Sequence, residues 1–172
     1  MQAVLTIRPA TRGDLDQLAA MMVALHRHLG LPPSPATPAL LEAQLFAERP
    51  PCACLVAESR GAEGEAGMLA GYALYCDHFN SDFMKPGFFL CDLFVDPGTR
   101  SGGVGRALLA ELARIADDEG RVSIWWGVHR SNDRAIAFYD RIGAGDFKVD
   151  LRELEIEALK ALADEARGGR AA

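Results

Sequence analysis

The sequence predicts an α/β fold in which a mixed, largely antiparallel sheet is flanked by helices. Its 172 residues, 49% of them hydrophobic, suffice for one globular domain with its own core. Two strand-like runs, 52–58 and 68–76, surround a glycine-rich polar turn and predict an antiparallel hairpin. A more apolar run at 88–95 leads through a second glycine-rich turn into a helical pattern. These observations together predict the fold class.

The first elements are a short strand at 3–8, ended by Pro9, and then a helix of about 17 residues. Thr11 and Asp14 have the spacing of a capping box at the start of that helix. Apolar side chains at helical intervals predict the face that it buries: Leu15, Leu18, Met22, Leu25 and Leu29.

A proline-rich segment separates this helix from the next one. Four of the nine prolines lie in 30–38, which excludes regular structure there. Thr37 and Pro38 have the residue types of an N-cap and a first helical position. We therefore predict a second helix from Pro38 to about residue 47.

The apolar run at 88–95 predicts a central strand covered on both faces. We expect 77–87 to form a longer connection before it, and 96–98 to end it. The following helix ends at Gly120 and has one apolar face. That face consists of Val104, Leu108, Leu112 and Ile115. The next strand is predicted at 122–128.

The last third of the chain is less regular in its pattern. Asn132 is predicted to cap a short helix that Gly143 closes. Residues 147–151 alternate as a strand does, and the leucines further on have helical spacing. We predict a strand, regular or bulged, and then a C-terminal helix. Residues 1–166 are expected to form a single domain, and 167–172 a frayed tail.

Charge and cysteine content exclude several classes of function. The net charge of −6 argues against nucleic acid as a partner. The chain has neither a membrane-length apolar run nor a secretory signal pattern, so we expect no membrane association and a cytoplasmic location. The cysteines match no zinc or redox spacing, so we expect reduced thiols and no bound metal. They are Cys52, Cys54, Cys76 and Cys91.

The turn after the most apolar strand has a composition suited to an anion. Gly102, Gly103 and Gly105 let backbone N–H groups approach a ligand closely, and the helix N-terminus carries partial positive charge. Arg100 and Arg106 add full positive charges. The ATP-type P-loop and the dinucleotide fingerprint both fail here, because their required residues are missing.

The remaining pattern, Arg100-x-x-Gly103-x-Gly105, resembles the turn with which the GCN5-related N-acetyltransferase (GNAT) family grips the pyrophosphate of coenzyme A. The resemblance covers nearly the whole chain, and its most specific segments are IRPAT at 7–11, FLCDLFVDPGTRSGGVGRALL at 89–109 and SNDRAIAFYDRIGA at 131–144. The chain is most similar to the diamine and polyamine acetyltransferase branch. The family implies a sheet whose central strands splay apart to hold coenzyme A.

The resemblance implies that acetyl-CoA is the cosubstrate. Backbone groups of 93–95 would pair with the pantetheine arm, 101–106 would hold the pyrophosphate, and Asn132 would bind near the splay. The implied cofactor-binding residues are Leu93, Phe94, Val95, Arg100, Ser101, Gly102, Gly103, Val104, Gly105, Arg106, Asn132, Ala135 and Tyr139.

Acetyl transfer to an amine needs both a proton acceptor and a proton donor. An amine of pKa ~10.4 is neutral in roughly one molecule in 2,500 at pH 7, and only the neutral form attacks a thioester. By the resemblance, Tyr139 is the catalytic residue that protonates the leaving thiolate, and a strand N–H near Leu93 or Phe94 stabilises the oxyanion. The alternative for Tyr139 is simple packing against Phe138.

The identity of the base stays open. In the polyamine-acetylating relatives, a glutamate stands where this chain has Cys91, and another acid lies near His28 and Leu29. Asp92 would point to the opposite face of an unbulged strand, and a bulge would change that. Other candidates, acting directly or through water, are Asp82, His28 and His129.

The predicted function is transfer of acetyl from acetyl-CoA to a primary amine of a small molecule, by direct attack in a ternary complex. The predicted acceptor site contains His28, Leu29, Asp82, Cys91 and Trp125. Alternatives are a protein or peptide amine as acceptor, an acetyl-cysteine intermediate at Cys91, and a catalytically idle module that binds coenzyme A. Relatives form dimers through C-terminal strands, so a homodimer is expected.

Overall fold

A five-stranded sheet in the order β1-β2-β3-β4-β5 organises the residues that the computed structural model describes, which are 4–60, 67–99 and 102–168. The strands are β1 Val4–Pro9, β2 Ala53–Arg60, β3 Met68–Asn80, β4 Lys85–Val95 and β5 Ile124–Trp125. Neighbours among β1 to β4 pair antiparallel, and β5 pairs parallel to β4. The predicted fold class is confirmed.

The helices are α1 Leu15–Leu29, α2 Pro38–Leu45, α3 Val104–Asp118, α4 Asp133–Arg141 and α5 Ile156–Gly168. The predicted N-caps Thr37 and Asn132 begin α2 and α4, whereas Thr11 begins a 3-10 turn before α1. The backbone N–H and the hydroxyl of Thr11 donate to Asp14 at 2.7 and 2.8 Å, around a 3-10 turn that precedes α1. The Thr37 hydroxyl accepts from the Leu40 N–H at 3.2 Å and caps α2.

Helices cover both faces of the sheet. α1 and α2 pack on one face, here named the α1 face, and bury a cluster that includes Leu18, Met22, Leu25, Leu41, Cys54, Val56, Tyr72 and Phe94. Side chains alternate along a strand, so the buried Leu55 and Ala57 of β2 point to the other face. There α3 packs against the sheet, and its Leu108 and Leu112 are fully buried.

A buried ion-pair network joins β1, β2 and the start of α1. The Arg8 guanidinium donates to Asp14 at 2.7 and 2.9 Å and to Glu58 at 3.0 Å. Its hydrogen bonds lower the pKa of Asp14 to about 2, although burial of the carboxyl acts in the opposite direction. The Arg8 guanidinium thus compensates the buried charge of Asp14 and also pairs with Glu58.

The longer connection predicted at 77–87 is wrong. β3 continues to Asn80 and β4 begins at Lys85, so only 81–84 remain outside the strands. The buried Asn80 side chain stabilises the turn, which has no recognised turn motif. Its oxygen accepts from the N–H groups of Asp82 and Phe83 at 3.1 and 3.3 Å. The same amide donates to the Ser123 hydroxyl at 3.0 Å, which ties the hairpin to the segment before β5.

Two strand predictions further along the chain also need correction. The strand expected at 122–128 is reduced to Ile124–Trp125, and the strand expected at 147–151 does not form. Lys148 has a φ of 52°, and its N–H donates to the Asp146 carboxylate at 2.8 Å, which interrupts the extended backbone. The predicted C-terminal helix is confirmed as α5, which includes Arg167 from the expected tail, and 169–172 lie outside the described residues.

The described chain separates into two compact units, one ending at Trp126 and one beginning at Gly127. The first unit contains the sheet and α1 to α3. The second contains α4 and α5, and none of its described residues is buried. In the described ranges, no helix has both the length and the apolar character to cross a membrane. The single domain expected over 1–166 stays a prediction.

Candidate active site

A β-bulge in β4 determines which side chains reach the α1 face. Leu74 of β3 pairs with Asp92, whereas the next residue, Tyr75, pairs with Leu90. Cys91 is therefore the extra residue, and the alternation of side chains is interrupted there. The bulge that was left open in the sequence analysis is present.

The bulge brings Asp92 and Cys91 to the same face of the sheet. The Tyr72 hydroxyl, which belongs to the α1-face cluster, donates to the Asp92 carboxylate at 3.3 Å. The Cys91 thiol lies 3.8 Å from the thiol of Cys76, which is two residues beyond Leu74 and so shares its face. An acid and a thiol thus lie side by side on the α1 face of the sheet.

The surroundings of Asp92 favour proton uptake. Burial raises the pKa of this carboxyl, and the hydrogen bond from Tyr72 and the charge of His26 partly oppose that effect. A carboxylate with a raised pKa is a better proton acceptor at neutral pH than an exposed one. Asp92 has the electrostatic setting of a general base.

Cys91 lacks the thiolate form that a nucleophile needs. Partial burial of the thiol and the neighbouring Cys76 thiol raise the pKa of Cys91 to about 12. The thiol is therefore neutral near pH 7, although the residue as a whole is exposed. That argues against an acetyl-cysteine intermediate. Cys52, Cys54 and Cys76 are also free thiols, and only Cys54 is buried. Among the described residues, no three His, Cys, Asp or Glu side chains are grouped to hold a metal ion.

The glycine turn before α3 is open on its outer side. Gly103 caps α3 with a φ of 80°, and no heavy atom lies within 4 Å of the position that its Cβ would occupy. Gly102 and Arg106 are exposed, Gly105 is half-buried, and Val104 is buried in the core. Arg100 and Ser101 lie outside the described residues. Open backbone at the start of a helix fits the pyrophosphate of coenzyme A.

The sheet opens beside the bulge. In the described residues, β5 pairs with β4 only through Phe88 and Phe89, and the ladder ends there. On the other edge of β4, 93–95 pair with 71–73 of β3. Trp125, at the end of the β4–β5 ladder, packs against His78 with ring centroids 4.7 Å apart and ring planes tilted by 36°.

The other predicted cofactor residues lie on α4, in the second unit. The Asn132 side chain accepts from the Ala135 N–H at 3.2 Å and caps the helix as predicted. The Tyr139 ring lies 5.3 Å from the Phe138 ring, and burial raises the pKa of its phenol. A phenol that stays protonated is suited to donate a proton.

Comparison with known proteins decides the family. The sequence profile of the acetyltransferase (GNAT) family matches residues 20–144. The chain belongs to this family. Thialysine N-epsilon-acetyltransferase of Bos taurus is 31% identical over 147 residues, which cover 84% of this chain and 86% of that protein. L-ornithine N5-acetyltransferase of Arabidopsis thaliana is 34% identical over 96 residues, or 55% of this chain and 42% of that protein.

Solved structures agree on the GNAT fold. An integron cassette protein from V. cholerae has a TM-score of 0.74 at 24% identity, with 92% of this chain and 97% of that chain covered. A probable acetyltransferase has a TM-score of 0.71 at 24% identity, with 88% and 97% covered. The resemblance found in the sequence is confirmed, and this GNAT protein is an acetyl-transferring enzyme with relatives that act on small amines.

The predicted acceptor residues lie at several different places in the fold. Cys91 lies at the bulge, Leu29 packs against the α1-face cluster, and His28 is exposed. Asp82 is exposed at the hairpin turn. Sequence reasoning did not single out His26, although its position four residues after the predicted core residue Met22 signals that it faces the sheet.

Proposed function

We propose that this GNAT enzyme transfers acetyl from acetyl-CoA to a primary amine of a small molecule, by direct attack in a ternary complex. The observation that carries the proposal is the bulge at Cys91, which turns the Asp92 carboxylate to the face where Tyr72 and Cys91 lie. A half-buried carboxylate near the point where the β4–β5 ladder ends can accept a proton from the ammonium group of an acceptor. The neutral Cys91 thiol leaves direct attack by the amine as the simpler route.

The chain's own residues fit acetyl-CoA at two places. Backbone N–H groups from Gly102 to Arg106 would bind the pyrophosphate at the start of α3, with Arg106 and Arg100 adding charge. Backbone groups of Leu93, Phe94 and Val95 would align the pantetheine arm along β4. Acetyl-CoA supplies the activated acyl group.

Proton transfer uses two residues of different character. Asp92 accepts a proton from the bound ammonium, which frees the nitrogen lone pair for attack on the thioester carbon. A strand N–H near Leu93 or Phe94 stabilises the oxyanion of the tetrahedral intermediate. Tyr139 then protonates the sulfur as the C–S bond breaks. The nitrogen loses its second proton as the amide forms, and this proton, carried by water, replaces the one that Tyr139 gave.

The acceptor is proposed to be a short amine with one further polar group, such as a diamine or an amino acid. The names of the relatives, a thialysine and an ornithine acetyltransferase, support this choice. Spermine carries several positive charges, and the chain has Cys91 and Leu29 where polyamine-acetylating relatives supply acids. Each missing desolvated charge pair weakens polyamine binding by about 1 kcal/mol or more.

Release of coenzyme A thiol in the presence of different amines tests this function. The panel contains a short diamine, lysine-like amino acids, spermine, an aromatic amine and a peptide N-terminus, each at two salt concentrations. We expect a diamine or amino acid to give the highest kcat/KM. A peptide leading the panel would contradict the small-molecule assignment, and tenfold preference for spermine would contradict the loss of acidic partners.

Substitution of Tyr139 tests the proton donor. Tyr139→Phe should lower kcat by roughly ten- to a thousandfold with little change in the KM for acetyl-CoA, because the lost hydrogen bond forms mainly in the transition state. Tyr75→Phe is the matched control, since Tyr75 packs edge-on against Phe88. Wild-type kcat in Tyr139→Phe, with chemistry rate-limiting, would reduce Tyr139 to a packing residue.

We also propose that the two units work as one catalytic domain and that the enzyme is a homodimer. The family match at 20–144 spans the boundary after Trp126, which supports the single domain. Val149, Leu151 and Leu162 are 71%, 71% and 53% exposed, and apolar surface of this kind favours association. Light scattering on the full chain measures the oligomeric state, and a monomer at micromolar concentration would contradict the dimer.

A further inference from the structure

Two cysteine thiols meet across neighbouring strands on the α1 face. The Sγ atom of Cys91, the extra residue of the β4 bulge, lies 3.8 Å from the Sγ atom of Cys76 on β3. Both cysteines are free, and Cys91 is exposed. The S–S bond of a disulfide is about 2.0 Å long, so the two sulfur atoms need to approach by roughly 1.8 Å. Rotation about the two Cα–Cβ bonds, which leaves the strands paired, moves sulfur atoms over such distances.

The bulge sets the relation between this thiol pair and the proposed base. Asp92 takes the position opposite Leu74, so Cys91 lies on its side toward Cys76. Cys91 and Asp92 are consecutive residues of one irregular segment, and a movement of the first is transmitted to the second through their shared peptide bond. The hydrogen bond from the Tyr72 hydroxyl to Asp92 is long, at 3.3 Å, and a small displacement breaks it. A covalent change at Cys91 therefore reaches the Asp92 carboxylate.

A cavity of about 110 Å³ gives small molecules access to the Cys76 thiol. A site of roughly 10–15 Å³ holds one water molecule, so hydrogen peroxide, which is little larger, fits into this cavity. Exposed residues such as Pro51 and Asp77 form part of its wall and open it to solvent. The lining residues are Pro50, Pro51, Cys52, Ala53, Tyr75, Cys76 and Asp77.

We propose that Cys76 and Cys91 form a reversible disulfide, with hydrogen peroxide as the oxidant, and that this crosslink lowers acetylation of the acceptor amine. The Cys76 sulfur attacks one peroxide oxygen, the O–O bond breaks, and the thiol proton leaves with the second oxygen as water, which makes Cys76 a sulfenic acid. The Cys91 sulfur then attacks the Cys76 sulfur, and the hydroxyl group leaves with the Cys91 proton as a second water. The two thiols lose two electrons, and one peroxide becomes two water molecules.

The crosslink acts on the acceptor side of the proposed reaction. Its effect on activity rests on the proposed function, whereas its formation does not. Drawing the Cys91 sulfur toward β3 turns the bulge and displaces the Asp92 carboxylate from Tyr72. The raised pKa of the Cys91 thiol, about 12, leaves little thiolate at neutral pH, so the crosslink forms slowly there and faster as the pH rises.

Peptide mapping after treatment with hydrogen peroxide at mildly alkaline pH tests whether the disulfide forms. Chymotrypsin cleaves after Phe79 and Phe83, which separates the two cysteines. The non-reduced digest should contain the Cys76 peptide joined to the Cys91 peptide, and dithiothreitol should separate them. Cys52→Ala, which removes the other thiol of the cavity, should give the same joined peptides, and Cys76→Ala should give none. A digest without this crosslink, or one in which Cys52 is joined to Cys76, would overturn the inference.

Steady-state kinetics with the best amine of the panel tests the effect on the site. Peroxide should lower kcat/KM of the wild type and of Cys52→Ala roughly tenfold, because the proposed base is misplaced, and dithiothreitol should restore it. Cys76→Ala should keep its activity under the same treatment, a result that separates the crosslink from oxidation of methionine. Crosslinked protein with full kcat/KM would overturn the action on the site. Untreated protein that acetylates no amine would contradict the proposed function instead, and the peptide map would still decide whether the disulfide forms.

Discussion

The two units differ in how their residues are held. In the first unit, helices on both sides of the sheet bury side chains such as Leu108 and Tyr72 completely, and Arg8 bridges two buried carboxylates. In the second unit, no described residue is buried, and ion pairs such as the one between Arg130 and Asp150 are exposed. The proposed proton acceptor, Asp92, lies in the first unit, and the proposed proton donor, Tyr139, lies in the second.

The two proposed catalytic residues therefore differ in how firmly the fold holds them. The position of Asp92 follows from strand register and from the packing of α1, both of which persist as long as the first unit is folded. Asn132 caps α4 and Tyr139 lies on it, and this helix of 9 residues has no buried side chain. Helices of this length gain most of their stability from packing. We therefore expect stability to depend on the first unit and the geometry around Tyr139 to depend on bound ligand.

The largest expected effect compares one leucine from each unit. Leu108→Ala removes a fully buried side chain of α3 and should lower the free energy of unfolding by about 2–5 kcal/mol. Leu159→Ala alters a side chain of α5 that is 52% exposed and should change it by less than about 0.5 kcal/mol. Urea unfolding measures both, and equal losses would show that α5 is buried in solution.

The next effect concerns acid stability. The folded pKa of Asp14, about 2, lies below its ordinary value of 3.8. Its contribution is therefore complete above pH 3.8 and is lost as the pH falls toward 2, by roughly 2 kcal/mol. Asp14→Asn should flatten that part of the stability profile, measured by urea unfolding from pH 5 to 2. Asp150→Asn, which removes an exposed ion pair, should retain the wild-type slope.

A smaller effect concerns the turn before α3. Gly103→Val places a branched side chain where φ is 80° and where backbone is proposed to meet pyrophosphate, so acetyl-CoA affinity should fall at least tenfold, about 1.4 kcal/mol. Gly145→Val is the control, because Gly145 also has open space around its Cβ position and lies in the second unit. Unchanged calorimetric affinity in folded Gly103→Val would contradict the proposed site.

The smallest expected effect is at the bulge itself. Cys91→Ala should retain kcat within about tenfold, because its neutral thiol has no proposed step in acetyl transfer. Steady-state kinetics with the best amine of the panel measures this. Abolished activity in a folded protein would restore the acetyl-cysteine route.

Local signals in the sequence predicted most of the fold. Thr37 and Asn132 cap helices as their residue types indicate, and the stripe through Leu108 is buried. The errors came where short-range contacts follow no recognised turn motif. The Asn80 side-chain oxygen accepts from the N–H groups of Asp82 and Phe83 in the turn, and the backbone at Lys148 interrupts the alternation of 147–151.

The candidate site was predicted only where its signal is contiguous in the sequence. The glycine turn is contiguous in sequence, so its composition indicated its role. The facing of Asp92 depends on the register between β3 and β4, which no residue of β4 encodes alone. The ring of His26 is held by a carbonyl of Pro32, in a loop whose path the prolines made irregular.

The bulge also determines which mutations β4 tolerates. Cys91 is the extra residue of the bulge, so its deletion would leave Leu90 paired with Tyr75 and Asp92 paired with Leu74 in a regular ladder. Removing a residue between Asp92 and Phe94 would instead exchange the faces of the residues on one side of the deletion. Phe94, which is 3% exposed in the α1-face cluster, would then lose its place there or shift the pairing with β3. Evolutionary variants of this enzyme should therefore tolerate a substitution or a one-residue deletion at position 91 more readily than a deletion after Asp92.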